Sequence, residues 1–206
     1  MYPHIFMAQS PKDVHNETPI NDFFTTYEWK RALQNKHQTA PGEDNIGYTV
    51  YQQLPNNMQL ITLNLINQVW ATGEIPTSWR QAIIIPIPKP GKNPKFASSY
   101  RPISLTLTLC KIMETMINNR LKHHLTINKM LTENQSGFRN HRSTLDQIIR
   151  LEADVKLAFN AKNKPDRHLI AIFMDLEKAF DMVWTKGLTS KLNLFGIQGR
   201  IHKWIN

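Results

Sequence analysis

The sequence predicts an α+β fold, and three features of the chain lead to that prediction. Apolar residues recur every three or four positions in several segments, which is the period of an amphipathic helix. A β-branched run at 82–85 indicates a short strand. A continuous apolar run at 168–174 is typical of a strand that is buried on both faces. Helices are therefore expected to outnumber strands.

The first helix is predicted to follow a lead-in at 1–20 that has little periodicity. Thr25 and Glu28 have the spacing of a capping box, in which each side chain satisfies a backbone donor of the other residue. The helix is expected to run to about Lys36, and a turn is predicted at 40–45. The residues expected to face inward are Trp29, Ala32 and Leu33.

A second helix is predicted over 56–72, followed by Gly73 as its C-terminal stop. Its apolar positions recur at helical spacing and are Met58, Ile61, Leu65 and Val69. After this helix, the strand at 82–85 is expected to lose its ladder partner at Pro86 and Pro88. The fold we expect includes a small antiparallel hairpin around 82–105, with a basic loop at 89–95.

The second half of the chain predicts two further long helices. The first has an apolar stripe of Leu109, Ile112, Met113, Met116, Ile117 and Leu121. The second begins near Ser143 or Thr144 and places on one face Ile148, Leu151, Val155 and Phe159. A turn at 163–167 precedes the apolar strand, and helical residues resume around 178–181 and after Gly187. The strand is expected to lack partners in this chain, which leaves exposed edges and marginal stability.

Composition excludes several classes of protein. The hydrophobic content of 41% is that of a globular chain rather than a disordered one. No apolar run approaches the roughly 20 residues that cross a bilayer, and the N-terminus lacks the pattern of a signal peptide. Cys110 stands alone, which excludes an intramolecular disulfide framework and a cysteine-based zinc cluster. We therefore expect an intracellular protein, nuclear or cytoplasmic.

The positive charge of the chain is unevenly distributed. The net charge is +9, but residues 1–80 contain 5 Lys and Arg against 7 Asp and Glu. Residues 89–150 contain 11 against 3. Such an excess is what a polyphosphate partner requires, because each neutralised phosphate releases condensed counterions. The alternative is a solvated basic face with no ligand.

Asp175 follows the apolar run directly, so its carboxylate is expected at the end of a buried strand. Mg²⁺ is commonly held by one or two protein carboxylates, with water and substrate phosphate completing its shell. Two such ions can clamp the attacking and leaving oxygens of a phosphoryl transfer. The alternative is a helix N-cap or a turn former, which is the commoner use of an aspartate in this position.

The string at 171–184, Ala-Ile-Phe-Met-Asp-Leu-Glu-Lys-Ala-Phe-Asp-Met-Val-Trp, resembles motif A of the reverse transcriptases of non-LTR (LINE-type, jockey-like) retrotransposons. Other motifs similar to those of this family precede it in the expected order. They are Ala-Pro-Gly-Glu-Asp-Asn-Ile at 40–46, Gly-Glu-Ile-Pro-Thr-Ser-Trp at 73–79, Ile-Ile-Ile-Pro-Ile-Pro-Lys-Pro-Gly-Lys at 83–92, Ser-Tyr-Arg-Pro-Ile-Ser-Leu at 99–105 and Gln-Ser-Gly-Phe-Arg-Asn-His-Arg-Ser-Thr-Leu-Asp-Gln-Ile at 135–148. The resemblance covers about residues 24–206.

The resemblance implies a truncated right-hand polymerase fold. Residues 21–165 correspond to helix-rich fingers, and 166–206 to the start of the palm, with 168–175 as the first palm strand. The rest of the palm and the thumb are not expected in this chain. The family function is RNA-directed DNA polymerisation, which adds deoxynucleoside triphosphates to a DNA primer on an RNA template.

The resemblance also assigns roles to residues near motif A. Asp175 is the expected catalytic residue and a ligand of Mg²⁺ or Mn²⁺, joined by the backbone carbonyl of Leu176. Phe180 is expected to lie beneath the incoming sugar, where it selects deoxynucleotides by leaving no room for a 2′-hydroxyl. The alternative for Phe180 is core packing against Trp184, one helical turn later.

Upstream motifs supply the expected substrate contacts. Lys89 and Arg101 are expected to bind the triphosphate, and their alternative is non-specific surface charge. Gly137, Arg139 and Arg142 are expected to contact the template backbone. For the two arginines, the alternative is a structural salt bridge to Asp146.

The chain departs from the family pattern in three places. Asn45 stands where the family usually has Gly, a mild change because Asn tolerates a left-handed backbone. Thr106 and Leu107 stand where the family usually has Leu-Pro. No Asp-Asp dipeptide is present, so the family's aspartate-pair motif is absent and the metal site is expected to be incomplete. Two hypotheses remain: a segment of a polymerase, or an inactive remnant that only binds nucleic acid through its basic fingers.

Overall fold

The computed structural model describes residues 19–160 and 168–206, and in these ranges helices predominate. One two-stranded antiparallel sheet accompanies them. This confirms the prediction of a helix-rich α+β fold with a small hairpin. The elements are α1 Thr26–Leu33, α2 Tyr48–Gln53, α3 Asn56–Thr72, β1 Ile83–Pro88, β2 Tyr100–Leu105, α4 Thr108–Ile127, α5 Thr144–Phe159, α6 Thr185–Leu194 and α7 Arg200–Ile205.

The chain divides into two compact units. The first takes the described residues up to His124 together with Thr185–Asn206, and the second is Leu125–Trp184. Most of the predicted lead-in and the predicted turn at 163–167 lie outside the described residues. The boundary predicted between fingers and palm remains a prediction.

The capping box at the start of α1 is formed as predicted. The Thr25 hydroxyl accepts a hydrogen bond from the Glu28 backbone N–H at 3.3 Å, and the Glu28 carboxylate accepts one from the Thr25 N–H at 2.9 Å. The three residues predicted to face inward are buried. The helix ends at Leu33 rather than near Lys36, because Gln34 has an extended backbone.

α3 has the predicted bounds, and Gly73 ends it with a φ of +74°. The residues whose spacing predicted the helix are only partly buried, because Met58, Ile61 and Leu65 are exposed and Val69 is buried. The buried residues of α3 are Leu63, Ile66, Val69 and Trp70. Apolar residues occupy more than one face of this helix, so periodicity alone could not select the face that packs against the rest of the unit.

The core of the first unit forms around α4. Ile112, Met113, Met116 and Ile117 are buried as predicted, together with Trp29, Trp70 and Ile201 from other elements. Phe24 packs against Trp70 with ring centroids 5.0 Å apart, and Trp29 meets Tyr51 edge to face at 6.2 Å. Polar side chains of α4 also reach both ends of this unit, since Arg120 donates to Glu28 of α1 and His124 lies 3.4 Å from the Phe195 carbonyl.

The hairpin continues through its prolines, so the predicted loss of pairing there is wrong. Pro86 lies opposite Pro102, and Pro88 lies opposite Tyr100. Residue pairs in an antiparallel ladder alternate between hydrogen-bonded and non-hydrogen-bonded positions. Lys89 lies opposite Ser99, and its N–H donates to the Ser99 carbonyl at 2.7 Å, so this pair is hydrogen-bonded. Because the two kinds of pair alternate, the hydrogen-bonded residues of β1 are the odd-numbered ones. The three prolines occupy the other positions, where no ladder donor is required.

In the second unit, α5 begins with a capping box between Ser143 and Asp146, close to its predicted start. Its predicted apolar face is formed but not covered, since no residue of α5 is buried. Exposed large apolar side chains on this helix are Leu145, Ile148, Ile149, Leu151, Leu157 and Phe159.

The predicted buried strand at 168–174 is wrong, because these residues form no strand and are exposed. Ile170 and Phe173 are 85% and 84% exposed. A strand needs a neighbouring backbone to accept its hydrogen bonds, and no other strand occurs among the described residues of this unit. The predicted helical stretch at 178–181 is instead a turn, in which the Met182 N–H donates to the Lys178 carbonyl at 3.0 Å.

Candidate nucleotide and template site

The hairpin brings Lys89 and Arg101 to neighbouring positions. Arg101 of β2 pairs with Ile87 of β1, and Lys89 lies two positions after Ile87, just beyond the end of β1. Side chains on one face of a strand alternate with those on the other, so Lys89 and Arg101 belong to the same face. The Lys89 ammonium donates to the Ser98 carbonyl at 2.8 Å, and Arg101 is exposed. Two cations predicted from separate motifs are thus adjacent.

The loop that joins the two strands adds positive charge. Lys92 and Lys95 lie on it, and the segment 89–101 contains no acidic residue. The loop has internal order, because the Tyr100 hydroxyl donates to the Pro94 carbonyl at 3.0 Å and the Asn93 side chain accepts from the Lys95 N–H at 3.0 Å. An anionic ligand at this end of the hairpin would therefore meet no acidic side chain from the segment 89–101.

A close backbone contact fixes the end of β2. A Cβ added to Gly42 would lie 2.8 Å from the backbone N of Leu107 and 2.8 Å from the carbonyl carbon of Thr106. Thr106 and Leu107, which stand where the family usually has Leu-Pro, therefore lie against the turn at 40–45. Asn45 in this turn has a φ of +57°, which confirms the expected left-handed backbone. The Gly42 contact could not be predicted from local sequence, because it joins residues that lie at least 64 positions apart.

The two predicted template arginines are held by the loop that precedes α5. Arg142 forms an ion pair with Glu133 at 2.6 Å, and Arg139 donates to the Thr132 carbonyl at 2.8 Å. The predicted alternative, a salt bridge to Asp146, is wrong. Asp146 instead accepts the Ser143 N–H at 2.6 Å, because a capping carboxylate three residues into a helix lies closer to that donor.

Gly137 lies in open space, with no other heavy atom within 4 Å of a Cβ built on it. The next residue, Phe138, was not among the predicted site residues. It has a φ of +60° and is 86% exposed. A phenylalanine between a glycine and an arginine in a polar loop was the sequence signal that could have identified it.

Asp175, Leu176 and Phe180 are all exposed. Asp175 caps no helix, because a turn rather than a helix follows it. Phe180 is 85% exposed and Trp184 is 72% exposed, so the alternative of core packing between these two rings is wrong. The carboxylate and the ring are both accessible to a ligand.

The metal chemistry implied by the resemblance is only partly supported by these residues. Asp175 offers one carboxylate, which suits one ligand position of a hydrated Mg²⁺. Over residues 19–160 and 168–206, no group of three His, Cys, Asp or Glu side chains could hold a metal ion. These residues alone do not make up a two-metal site.

None of the described helices is long and apolar enough to span a membrane.

Comparison with known families gives one match that covers more than half of the chain. A family model described as reverse transcriptase (RNA-dependent DNA polymerase) matches residues 87–206. The match takes in Lys89, Arg101 and the segments around Arg139 and Asp175.

Individual relatives extend the similarity. The chain is 37% identical over 153 residues to a probable RNA-directed DNA polymerase from transposon BS of Drosophila melanogaster, covering 74% of this chain and 16% of the relative. It is 37% identical over 152 residues to the RNA-directed DNA polymerase from mobile element jockey of the same organism, with the same coverage. A probable RNA-directed DNA polymerase from transposon X-element is 30% identical over 176 residues, or 85% of this chain and 19% of the relative. The chain thus spans less than a fifth of the length of these relatives.

Proposed function

This chain belongs to the reverse transcriptase (RNA-dependent DNA polymerase) family, and from that premise we propose that it forms the part of a non-LTR retrotransposon polymerase that binds the incoming deoxynucleotide and the RNA template. In this proposal, residues 21–165 are the fingers and 166–206 the start of the palm. The function of the whole polymerase is RNA-directed DNA synthesis from a DNA primer. The similarity to polymerases of the BS and jockey elements supports it.

The observation that carries the proposal is the placement of Lys89 and Arg101 on one face of the hairpin. Two adjacent cations, with no acidic residue between 89 and 101, suit the triphosphate of a nucleotide. Cations that are already in position stabilise the charge that develops on the leaving pyrophosphate without reorganising during the reaction.

We assign the sugar and metal contacts to motif A. Asp175 is the catalytic carboxylate and, with the carbonyl of Leu176, holds one divalent cation. Such an ion, when bound, neutralises phosphate charge. Phe180 lies beneath the sugar of the incoming nucleotide and excludes a 2′-hydroxyl. The exposure of Asp175 and of Phe180 supports these roles, because both side chains can reach a ligand.

We assign the template contacts to Gly137, Arg139 and Arg142. A guanidinium carries five N–H donors, and the contacts with Thr132 and Glu133 use only some of them. The arginines can therefore be positioned by the loop and still donate to phosphate. The open space around Gly137 leaves room for a nucleic-acid backbone to approach.

Binding of a labelled deoxynucleoside triphosphate tests the proposal. Lys89→Ala and Arg101→Ala are each expected to raise the dissociation constant about 10-fold, since a hydrogen bond to a charged group contributes roughly 1.5 kcal/mol or more. Lys156→Ala is the matched control, because Lys156 is an exposed cation on α5 that pairs with Glu152. Equal losses in all three variants, or no loss in the first two, would contradict the proposal.

A further inference from the structure

The backbone of Phe138 has a conformation that a large side chain rarely adopts. Its φ is +60°, a region in which glycine is comfortable and in which an aromatic residue is strained. Burial does not compensate for the strain, because the side chain is 86% exposed. A bulky residue that is both strained and solvent-exposed points to a use outside the fold.

The loop that carries Phe138 is held in place on both sides of the ring. The Arg139 guanidinium donates to the Thr132 carbonyl at 2.8 Å, and the Gln135 side chain donates to the Gly137 carbonyl at 3.1 Å. Ser136 is buried and its hydroxyl accepts from the Gln147 side chain of α5 at 2.6 Å. The ring is therefore presented by a fixed loop.

α5 makes further bonds to the base of the loop. The Gln147 side chain also donates to the Asn134 carbonyl at 3.0 Å, and Arg150 donates to the Asn134 side chain at 2.7 Å. Three side chains of the region, Arg139, Gln147 and Arg150, thus fix residues 132–136. A ring presented on a fixed loop loses little conformational freedom when a ligand binds.

Positive charge dominates this loop and the first turns of α5. The segment 129–150 contains Lys129, Arg139, Arg142 and Arg150 against two acidic residues. Both acids are engaged locally, Glu133 by Arg142 and Asp146 by the N-terminus of α5. An exposed aromatic ring among cations is the combination that binds unpaired nucleic acid, in which a base stacks on the ring and phosphates lie near the cations.

We propose that Phe138 is a stacking platform for an unpaired base of a single-stranded nucleic acid, next to the template contacts of Arg139 and Arg142. The inference rests on the proposed function, since it concerns the same template strand. The ring offers its π-face and no hydrogen-bond donor or acceptor. It therefore accepts any base and positions the strand without reading its sequence.

Binding of the full chain to three labelled RNAs tests this inference. The probes are a single strand without self-complementarity, a strand of equal length whose riboses carry no bases, and a perfect duplex. Phe138→Ala is expected to weaken binding of the first probe roughly 5- to 100-fold, the range expected for one base–aromatic stack. It leaves binding of the abasic strand and of the duplex unchanged. The dependence on salt also stays unchanged, because the ring carries no charge.

Three further variants separate stacking from a structural role. Phe138→Trp is expected to retain binding, since indole also stacks. Phe138→Gly is expected to lose binding while Tm rises by about 2–4 °C, because glycine removes the backbone strain. Phe159→Ala is the control, an aromatic residue of the same unit that is 70% exposed and carries no assigned role.

The outcomes are distinct. Unchanged binding in Phe138→Ala, an equal loss on the abasic strand, or an equal loss in Phe159→Ala would overturn the inference. Equal binding of single-stranded DNA supports it, because stacking does not read the 2′-hydroxyl. If the unaltered chain binds triphosphate but Phe138 has no effect on RNA, only this inference fails. If the unaltered chain binds neither triphosphate nor RNA, the proposed function fails with it.

Discussion

Arg120 of α4 forms a bidentate ion pair with Glu28 of α1, its Nε lying 2.6 Å from one carboxylate oxygen and its Nη2 2.9 Å from the other. The same guanidinium donates to the backbone carbonyls of Ile20, Asp22 and Phe23. It also lies over the ring of Phe24, 4.3 Å from its centroid. One side chain thus joins the N-terminal segment, the start of α1 and α4.

Arg120→Ala is expected to lower the free energy of unfolding by about 2–3 kcal/mol, because it leaves a partly buried carboxylate and several carbonyls without their donor. Arg120→Lys should recover only part of the loss, since an ammonium cannot reproduce the planar fork. Urea denaturation measures both. Lys156→Ala, at an exposed pair on α5, should change stability by less than about 0.5 kcal/mol. A loss of similar size there would contradict the special role of Arg120.

The Glu28 carboxylate predicts a pH dependence of stability. Burial by itself raises its pKa, but the hydrogen bond and charge of Arg120 and the hydrogen bonds from Thr25 outweigh burial, so its pKa lies below the ordinary 4.5. A lowered pKa stabilises the fold above about pH 4.5, and this contribution is lost as the pH falls through the lower folded-state value.

Comparison with Glu28→Gln isolates this effect. The unaltered chain is expected to be the more stable at pH 7, and the difference should shrink as the pH falls below 4.5. Thermal unfolding of both chains across this range measures it. A stability difference that is the same at pH 7 and in acid would show that the charge of Glu28 does not matter.

Gly42 provides a steric prediction. Gly42→Ala places a Cβ 2.8 Å from backbone atoms of Thr106 and Leu107, which cannot move as a side chain can, and a loss of about 1–3 kcal/mol is expected. Gly47→Ala is the matched control, since no atom lies within 4 Å of a Cβ there. Its stability should change by less than about 1 kcal/mol. Chemical denaturation of both variants distinguishes the close approach from a general effect of adding a methyl group.

Asn21 joins the N-terminal segment to α7. Its side chain accepts the Ile201 N–H at 3.1 Å and donates to the Gln198 carbonyl at 2.9 Å, and it is 3% exposed. Asn21→Ala leaves a buried backbone donor without this partner, so a loss of about 1–3 kcal/mol is expected. Asn64→Ala, at an exposed position of α3, should show no loss. Equal effects in both variants would mean that the contact with α7 contributes nothing.

Local signals predicted the start of α1 and the end of α3. The capping box of Thr25 and Glu28 and the stop at Gly73 depend on residues within four positions of one another, so the sequence contains all the relevant information. The stripe of α4 was also predicted correctly, because its apolar residues lie on one face. On α3, several faces are apolar, and the choice between them depended on contacts such as that of Trp70 with Phe24.

Features that depend on distant partners were not predictable. Arg120 and Glu28 lie 92 positions apart, and nothing in either local sequence indicates the other. The run at 168–174 has the composition of a buried strand, but its burial required partners that composition does not specify.

The residues of the candidate site were predicted, but their contacts were not, because the contacts depend on residues that are distant in sequence. The residues were identified through the family resemblance, whereas the adjacency of Lys89 and Arg101 emerged from the register of the hairpin. The alternative for Arg142, a salt bridge to Asp146, was wrong because Arg142 pairs with Glu133. Asp146 accepts the backbone N–H of Ser143 instead, a contact that depends on where α5 begins.

The proline positions of the hairpin have a consequence for how the protein behaves in concentrated solution. At non-hydrogen-bonded positions the backbone N–H points away from the partner strand, so Pro86, Pro88 and Pro102 remove donors from the two outer edges. The hairpin exposes five isoleucines, Ile83, Ile84, Ile85, Ile87 and Ile103, and such a surface with complete edges would recruit further strands. With these donors missing, a third strand cannot complete its ladder on either side, and the hairpin resists growth into an aggregating sheet.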